Sequence, residues 1–175
     1  FLLPQALWVR RRALRFRDAG GATSGSAGSG ELLNLVAFGD SIIAGVGADT
    51  LDNALVGRTA ASLADRLDCR VQWTAIGCTG INSGRALQEL LPLPDMAPAD
   101  VYLVSLGVND VTSLTSLQRW AANVDALVRS LAAHSSEALI AFVGLPPMHI
   151  FPALPQPLRF VIGLRANRLA STASH

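Results

Sequence analysis

Apolar positions along this chain switch between two spacings. Residues 32–38 (LLNLVAF) form a short apolar run that stops at Gly39-Asp40-Ser41, which predicts a buried strand. Residues 53–67 then place Leu55, Val56, Ala60, Leu63, Ala64 and Leu67 at helical spacing. The alternation repeats three times. Strands are predicted over 69–76, 101–106 and 138–145, and helices over 83–91 (closed by Pro92), 114–133 and 158–170. Apolar strands alternating with amphipathic helices predict an α/β fold. Its four strands would form a parallel sheet covered on both faces. Right-handed crossovers make it a three-layer, doubly wound architecture, with the ligand site at the carboxyl ends of the strands.

The segment before the first strand follows neither period. Residues 19–30 (AGGATSGSAGSG) are small and polar, so they are expected to be a flexible linker. It would separate a basic segment, residues 1–18, from the domain proper, residues 31–175. The opening FLLPQALWV followed by RRRALRFR admits two readings. One is the end of a membrane anchor with its arginines on the cytoplasmic side, which would place the domain there too. The other is an amphipathic helix packed on the domain. Membrane association through this segment therefore stays open, as does a cytoplasmic location.

Composition narrows the function classes. Half of the 175 residues are hydrophobic and 15% are charged, which is a globular composition. All fourteen basic residues are arginine. From residue 21 onward nine arginines face twelve acidic residues, so the body is mildly acidic. That argues against a nucleic-acid partner. Cys69 and Cys78 flank a single predicted strand, too far apart in extended chain to form a disulfide. They are expected to be unpaired buried residues.

The candidate chemistry lies at the strand ends. Ser41 sits at a strand-to-helix turn, where a hydroxyl can stand at the rim of the sheet; such a serine can equally cap the next turn. Gly39 lets the chain turn sharply there. The stretch is no phosphate loop, because that needs a lysine and the chain has none. Gly80, after the second strand, can present an unobstructed N–H. Asn109, after the third, offers a neutral side-chain N–H suited to a developing oxyanion. Taken singly, a glycine there is an ordinary strand end and an Asn-Asp pair an ordinary turn.

Together the blocks Gly39-Asp40-Ser41, Gly80 and Gly107-Val108-Asn109-Asp110 resemble the GDSL/SGNH hydrolase family over residues 32 to about 150. Ile42 stands where the family motif has leucine. The resemblance implies a flavodoxin-like SGNH hydrolase fold and a serine ester hydrolase, esterase- or lipase-like, acting through an acyl-enzyme. Ser41 would be the nucleophile. The Ser41 and Gly80 N–H groups and the Asn109 side-chain amide would form the oxyanion hole. Asp40 and Asp110 would hold the loops by hydrogen bonds. The substrate would be a small-molecule ester, thioester or lipid-like compound, with no cofactor and no metal.

The family's last block, Asp-x-x-His, has no counterpart in these residues. The expectation is a chain that stops short of it, with the fifth strand missing, one sheet edge open and catalysis impaired. Three histidines remain. His134 is expected to be solvated at a helix C-terminus, and His175 to be frayed. His149 follows the fourth strand, at the rim, as a cleft residue or a substitute base, beside an apolar Pro-rich stretch (LPPMHIFPALPQPL). Two other readings compete with hydrolysis: a catalytically inactive SGNH-fold binding module, and a flavodoxin-like nucleotide or phosphate binder, which a carboxylate at position 40 disfavours.

Overall fold

The four apolar runs become the four parallel strands of one sheet. The structure, a computed structural model, describes residues 2–12, 16–91, 93 and 97–173. Its strands are β1 (Ser24–Ala27), β2 (Leu32–Gly39), β3 (Arg70–Gly77), β4 (Val101–Ser105) and β5 (Leu139–Phe142). They lie in the order β1-β3-β2-β4-β5. β2 pairs in parallel with β3 and with β4, and β4 in parallel with β5. β2 is central, and Leu35, Val36, Ala37 and Phe38 are all buried. An uninterrupted apolar run is what a strand covered on both faces requires.

Among the described residues six α-helices accompany the sheet: α1 (Leu2–Arg12), α2 (Leu55–Leu67), α3 (Ser83–Glu89), α4 (Val108–Thr112), α5 (Leu117–His134) and α6 (Leu158–Ala173). Two apolar clusters flank the sheet. One gathers Val36, Phe38, Tyr102 and Val104 with Trp120, Leu127 and Leu131 of α5 and Ile162 and Leu169 of α6. The other gathers Leu35, Ala37, Val71 and Trp73 with Val56, Ala60 and Ala64 of α2. Each large side chain fully buried in these layers contributes about 1.5–3 kcal/mol. The chain leaves β2 toward β3 on one side and returns to β4 on the other. The strand order therefore reverses between β2 and β4, and their carboxyl ends flank the crevice where α/β sheets bind ligands.

The expected linker is in part a strand. Within residues 19–30, β1 pairs antiparallel with β3, Gly25 opposite Trp73. The sheet is therefore mixed rather than purely parallel, and a fifth strand is present on the β3 edge. The small residues have a steric role. A Cβ on Gly25 would stand 2.4 Å from the Trp73 ring, so a strand without bulk is what can lie there. At the opposite edge β5 is shorter than its apolar run and half exposed.

Other boundaries also moved. The helix expected from residue 114 begins at Leu117, because the Ser116 side chain accepts the Arg119 N–H and caps it there. Leu114 instead has a left-handed backbone, φ 60°. α3 ends at Glu89. Pro92, expected to close it, lies outside the described residues, as does His175. α5 runs one residue further than predicted, which carries His134 into partial burial. Its Nε2 is buried without a hydrogen-bond partner among the described residues, so it is not the solvated residue expected.

The basic segment contains the helix α1. The Gln5 side chain donates to the Gln156 carbonyl at 2.7 Å and accepts the Leu158 N–H at 3.3 Å, which seats α1 on the start of α6. Among the described residues no helix is long and apolar enough to cross a membrane.

Candidate active site

Three rim loops are tied to one another by backbone. The Asp40 N–H donates to the Ser105 carbonyl at 2.9 Å, and the Cys78 N–H donates to the Gly39 carbonyl at 3.0 Å. The loops after β2, β3 and β4 thus leave the sheet side by side. Gly39 makes this approach possible: its φ is 144°, and a Cβ there would stand 1.9 Å from the Ser105 carbonyl oxygen. No other residue type fits.

Ser41 opens a tight turn spanning residues 41–47. The turn is closed by Ala44 N–H to the Asp40 carbonyl and Val46 N–H to the Ser41 carbonyl, both at 3.0 Å. Ser41 is half-buried, and its hydroxyl makes no hydrogen bond among the described residues. A serine capping a helix would be occupied; this one is free to meet a ligand.

The two aspartates expected to be structural do hold loops. Asp40 is buried, and its Oδ1 accepts the Ile42 N–H at 3.1 Å and the Ser105 hydroxyl at 3.0 Å. Burial raises its carboxyl above the ordinary value; those hydrogen bonds pull the other way, and the charge of Asp110 adds to the rise. Asp110 is also buried. It accepts the Ser83 N–H at 2.9 Å and the Ser83 hydroxyl at 2.6 Å, and Asn123 donates to the same hydroxyl at 2.8 Å. This network joins α4 to the start of α3.

Gly80 has φ 78°, and nothing lies within 4 Å of where its Cβ would be. Asn109, in α4, donates from Nδ2 to the Ile81 carbonyl at 2.8 Å, which brings it against the loop that carries Gly80. That bond uses one of its two amide hydrogens and leaves the other free. A polar groove of about 320 Å³ opens just beyond, between Asn82 and Gln88 on one side and Thr115, Arg119 and Asn123 on the other.

His149 belongs to a different strand end. It sits in a 3-10 turn, Met148–Ile150, beyond β5, which β4 separates from β2. Its backbone is pressed on α6, where a Cβ on Gly163 would come within 2.9 Å of its N and within 2.8 Å of its Cα. Its side chain is exposed and has no hydrogen-bond partner among the described residues. Both cysteines are unpaired, Cys69 buried and Cys78 half-buried. Among the described residues no group of three or more His, Cys, Asp or Glu side chains could hold a metal.

Sequence reasoning missed one contact at this rim. The Thr79 hydroxyl donates to Asp18 Oδ1 at 2.6 Å. No local pattern links residues 61 positions apart.

The reversal point of this doubly wound sheet thus brings together a serine hydroxyl without a hydrogen-bond partner among the described residues, an open glycine and a side-chain amide. The chain matches the GDSL-like Lipase/Acylhydrolase family over residues 37–174, and it belongs to that family. A GDSL-like esterase of Mycobacterium tuberculosis, Rv1075c, is 27% identical over 142 residues, which cover 79% of this chain and 44% of that protein. The chain thus spans less than half the length of this curated relative. Two solved structures share the fold. An acetylxylan esterase from Geobacillus stearothermophilus is 19% identical with a TM-score of 0.57, over 84% of this chain and 73% of that one. The lipase Lip_vut3 from a goat rumen metagenome is 18% identical with a TM-score of 0.64, over 81% and 74%.

Proposed function

We propose that this chain carries the acylation half of a serine ester hydrolase site. The Ser41 hydroxyl would attack the carbonyl carbon of an ester, thioester or lipid-like substrate. The Ser41 and Gly80 N–H groups and the free Asn109 amide hydrogen would receive the oxyanion. Collapse of the tetrahedral intermediate would release the alcohol or thiol and leave an acyl-Ser41, which water then hydrolyses. One observation carries this reading: the loops bearing Ser41, Gly80 and Asn109 are joined by direct hydrogen bonds at adjacent strand ends, while the Ser41 hydroxyl is left unoccupied. Removing one preorganised donor of this kind typically costs about 100- to 1,000-fold in turnover.

The proton from Ser41 needs an acceptor. The sequence holds no Asp-x-x-His, and among the described residues no carboxylate is hydrogen-bonded to His149. Loss of the base in a serine triad lowers turnover by about six orders of magnitude. Slow acylation with little turnover is therefore the expected behaviour of these 175 residues.

The test is covalent capture with a p-nitrophenyl phosphonate, read by mass spectrometry. A single adduct on Ser41 is expected, forming over hours, absent from Ser41→Ala and unchanged in rate in His149→Ala. An adduct elsewhere, or an equal yield from Ser41→Ala, would refute the assignment. Binding of the phosphonate without any adduct would instead support the inactive binding module.

A further inference from the structure

A strap of residues 16–20 is fastened to two of the loops just described. The Ala19 N–H donates to the Ala44 carbonyl and the Gly20 N–H to the Asp49 carbonyl, both at 3.0 Å. The Gly47 N–H donates back to the Arg17 carbonyl at 3.2 Å. Ala19 seats closely, for a Cβ on Gly45 would come within 2.7 Å of its own Cβ. These contacts fix the strap on the turn that begins at Ser41. From there Asp18 reaches to the neighbouring loop and accepts the Thr79 hydroxyl at 2.6 Å.

Thr79 directly precedes Gly80. At Gly80 no neighbour would touch a side chain, and a glycine in that setting has wide backbone freedom. An oxyanion donor works only when held within tenths of an ångström of its target. The loop therefore needs a tether close to Gly80. The Thr79–Asp18 bond, though exposed, is charge-assisted and so directional enough to act as that tether. We infer that Asp18 is a positioning residue: through Thr79 it fixes the direction of the Gly80 N–H relative to Ser41. Asp18 touches no substrate. The inference rests on the hydrolase reading, because the group being positioned is that reading's proposed donor.

The experiment follows the rate of phosphonate capture at Ser41 against phosphonate concentration, on the full chain. Asp18→Ala and Thr79→Val should each lower the maximal capture rate on the order of tenfold, with the half-saturating concentration unchanged. Asp18→Asn should restore it, since its carbonyl oxygen still accepts the Thr79 hydroxyl. The double variant should be no slower than either single one, as both remove the same bond. Capture by Asp18→Ala at the parent rate would overturn the inference and leave the hydrolase reading intact. A slower rate that tracks a lower melting temperature and is not rescued by Asn would also overturn it, by making Asp18 merely structural. A parent chain that forms no Ser41 adduct would remove the hydrolase reading, and the positioning role with it.

Discussion

Asp40 combines two demands that pull its acidity in opposite directions. Its carboxylate closes the turn after β2, yet it is buried beside a second buried carboxylate, Asp110. Its pKa lies above the ordinary 3.8, first because of burial. The folded state therefore binds this proton more tightly than the unfolded chain does. The resulting stabilisation is complete below 3.8 and is lost as the pH rises through the folded value. Asp40→Asn keeps an acceptor for the Ile42 N–H and removes the charge. Relative to the parent, its urea midpoint is expected to gain as the pH is raised from about 3 to about 7. A constant difference across that range would refute the sign argued here. Residue scale is also where the sequence was most legible. Ser41, Gly80 and Asn109 stood out as candidates in short blocks at predicted strand ends, and their loops do lie side by side. Asp18 was invisible, because its partner is fixed by tertiary packing alone.

Elements were legible in proportion to how deeply they are buried. β2, β3 and β4 need apolar side chains on both faces or one, and such runs stand out in any sequence. β1 needs the reverse. The Trp73 ring lies over it, so its residues had to be small, and a run of glycine and serine reads as linker. The signal for β1 lies in β3, not in its own residues. Gly25→Val would force bulk into the space of the ring and is expected to cost about 1–3 kcal/mol in denaturant unfolding. An unchanged midpoint would mean that β1 can separate from β3 without loss. α4 was missed for a related reason. It is a single short turn anchored through Asp110 by Ser83 of α3, whose hydroxyl is in turn held by Asn123 of α5.

For the molecule as a whole, the two sides of the sheet differ. The β3 edge is covered by β1. Among the described residues no strand pairs with the outer edge of β5, Leu139 there is 64% exposed, and α6 carries Phe160 and Leu164 at 58% and 47%. An open edge strand and exposed apolar side chains each favour association of partly unfolded chains. Heating is expected to give light scattering whose onset falls as protein concentration rises. Phe160→Glu with Leu164→Lys should raise that onset without raising the melting temperature. An onset independent of concentration would contradict this.

The glycine at position 80 bears on how such a site decays over generations. Two of the three proposed oxyanion donors are main-chain groups, which no codon change other than one to proline can delete. A substitution at Gly80 by any residue except proline meets no neighbour and is opposed only by its left-handed backbone, so it would tilt a donor rather than remove one. Ser41 and Asn109 have no such protection. A lineage released from selection for catalysis would lose those two side chains first, and the shape of the pocket would outlast its chemistry.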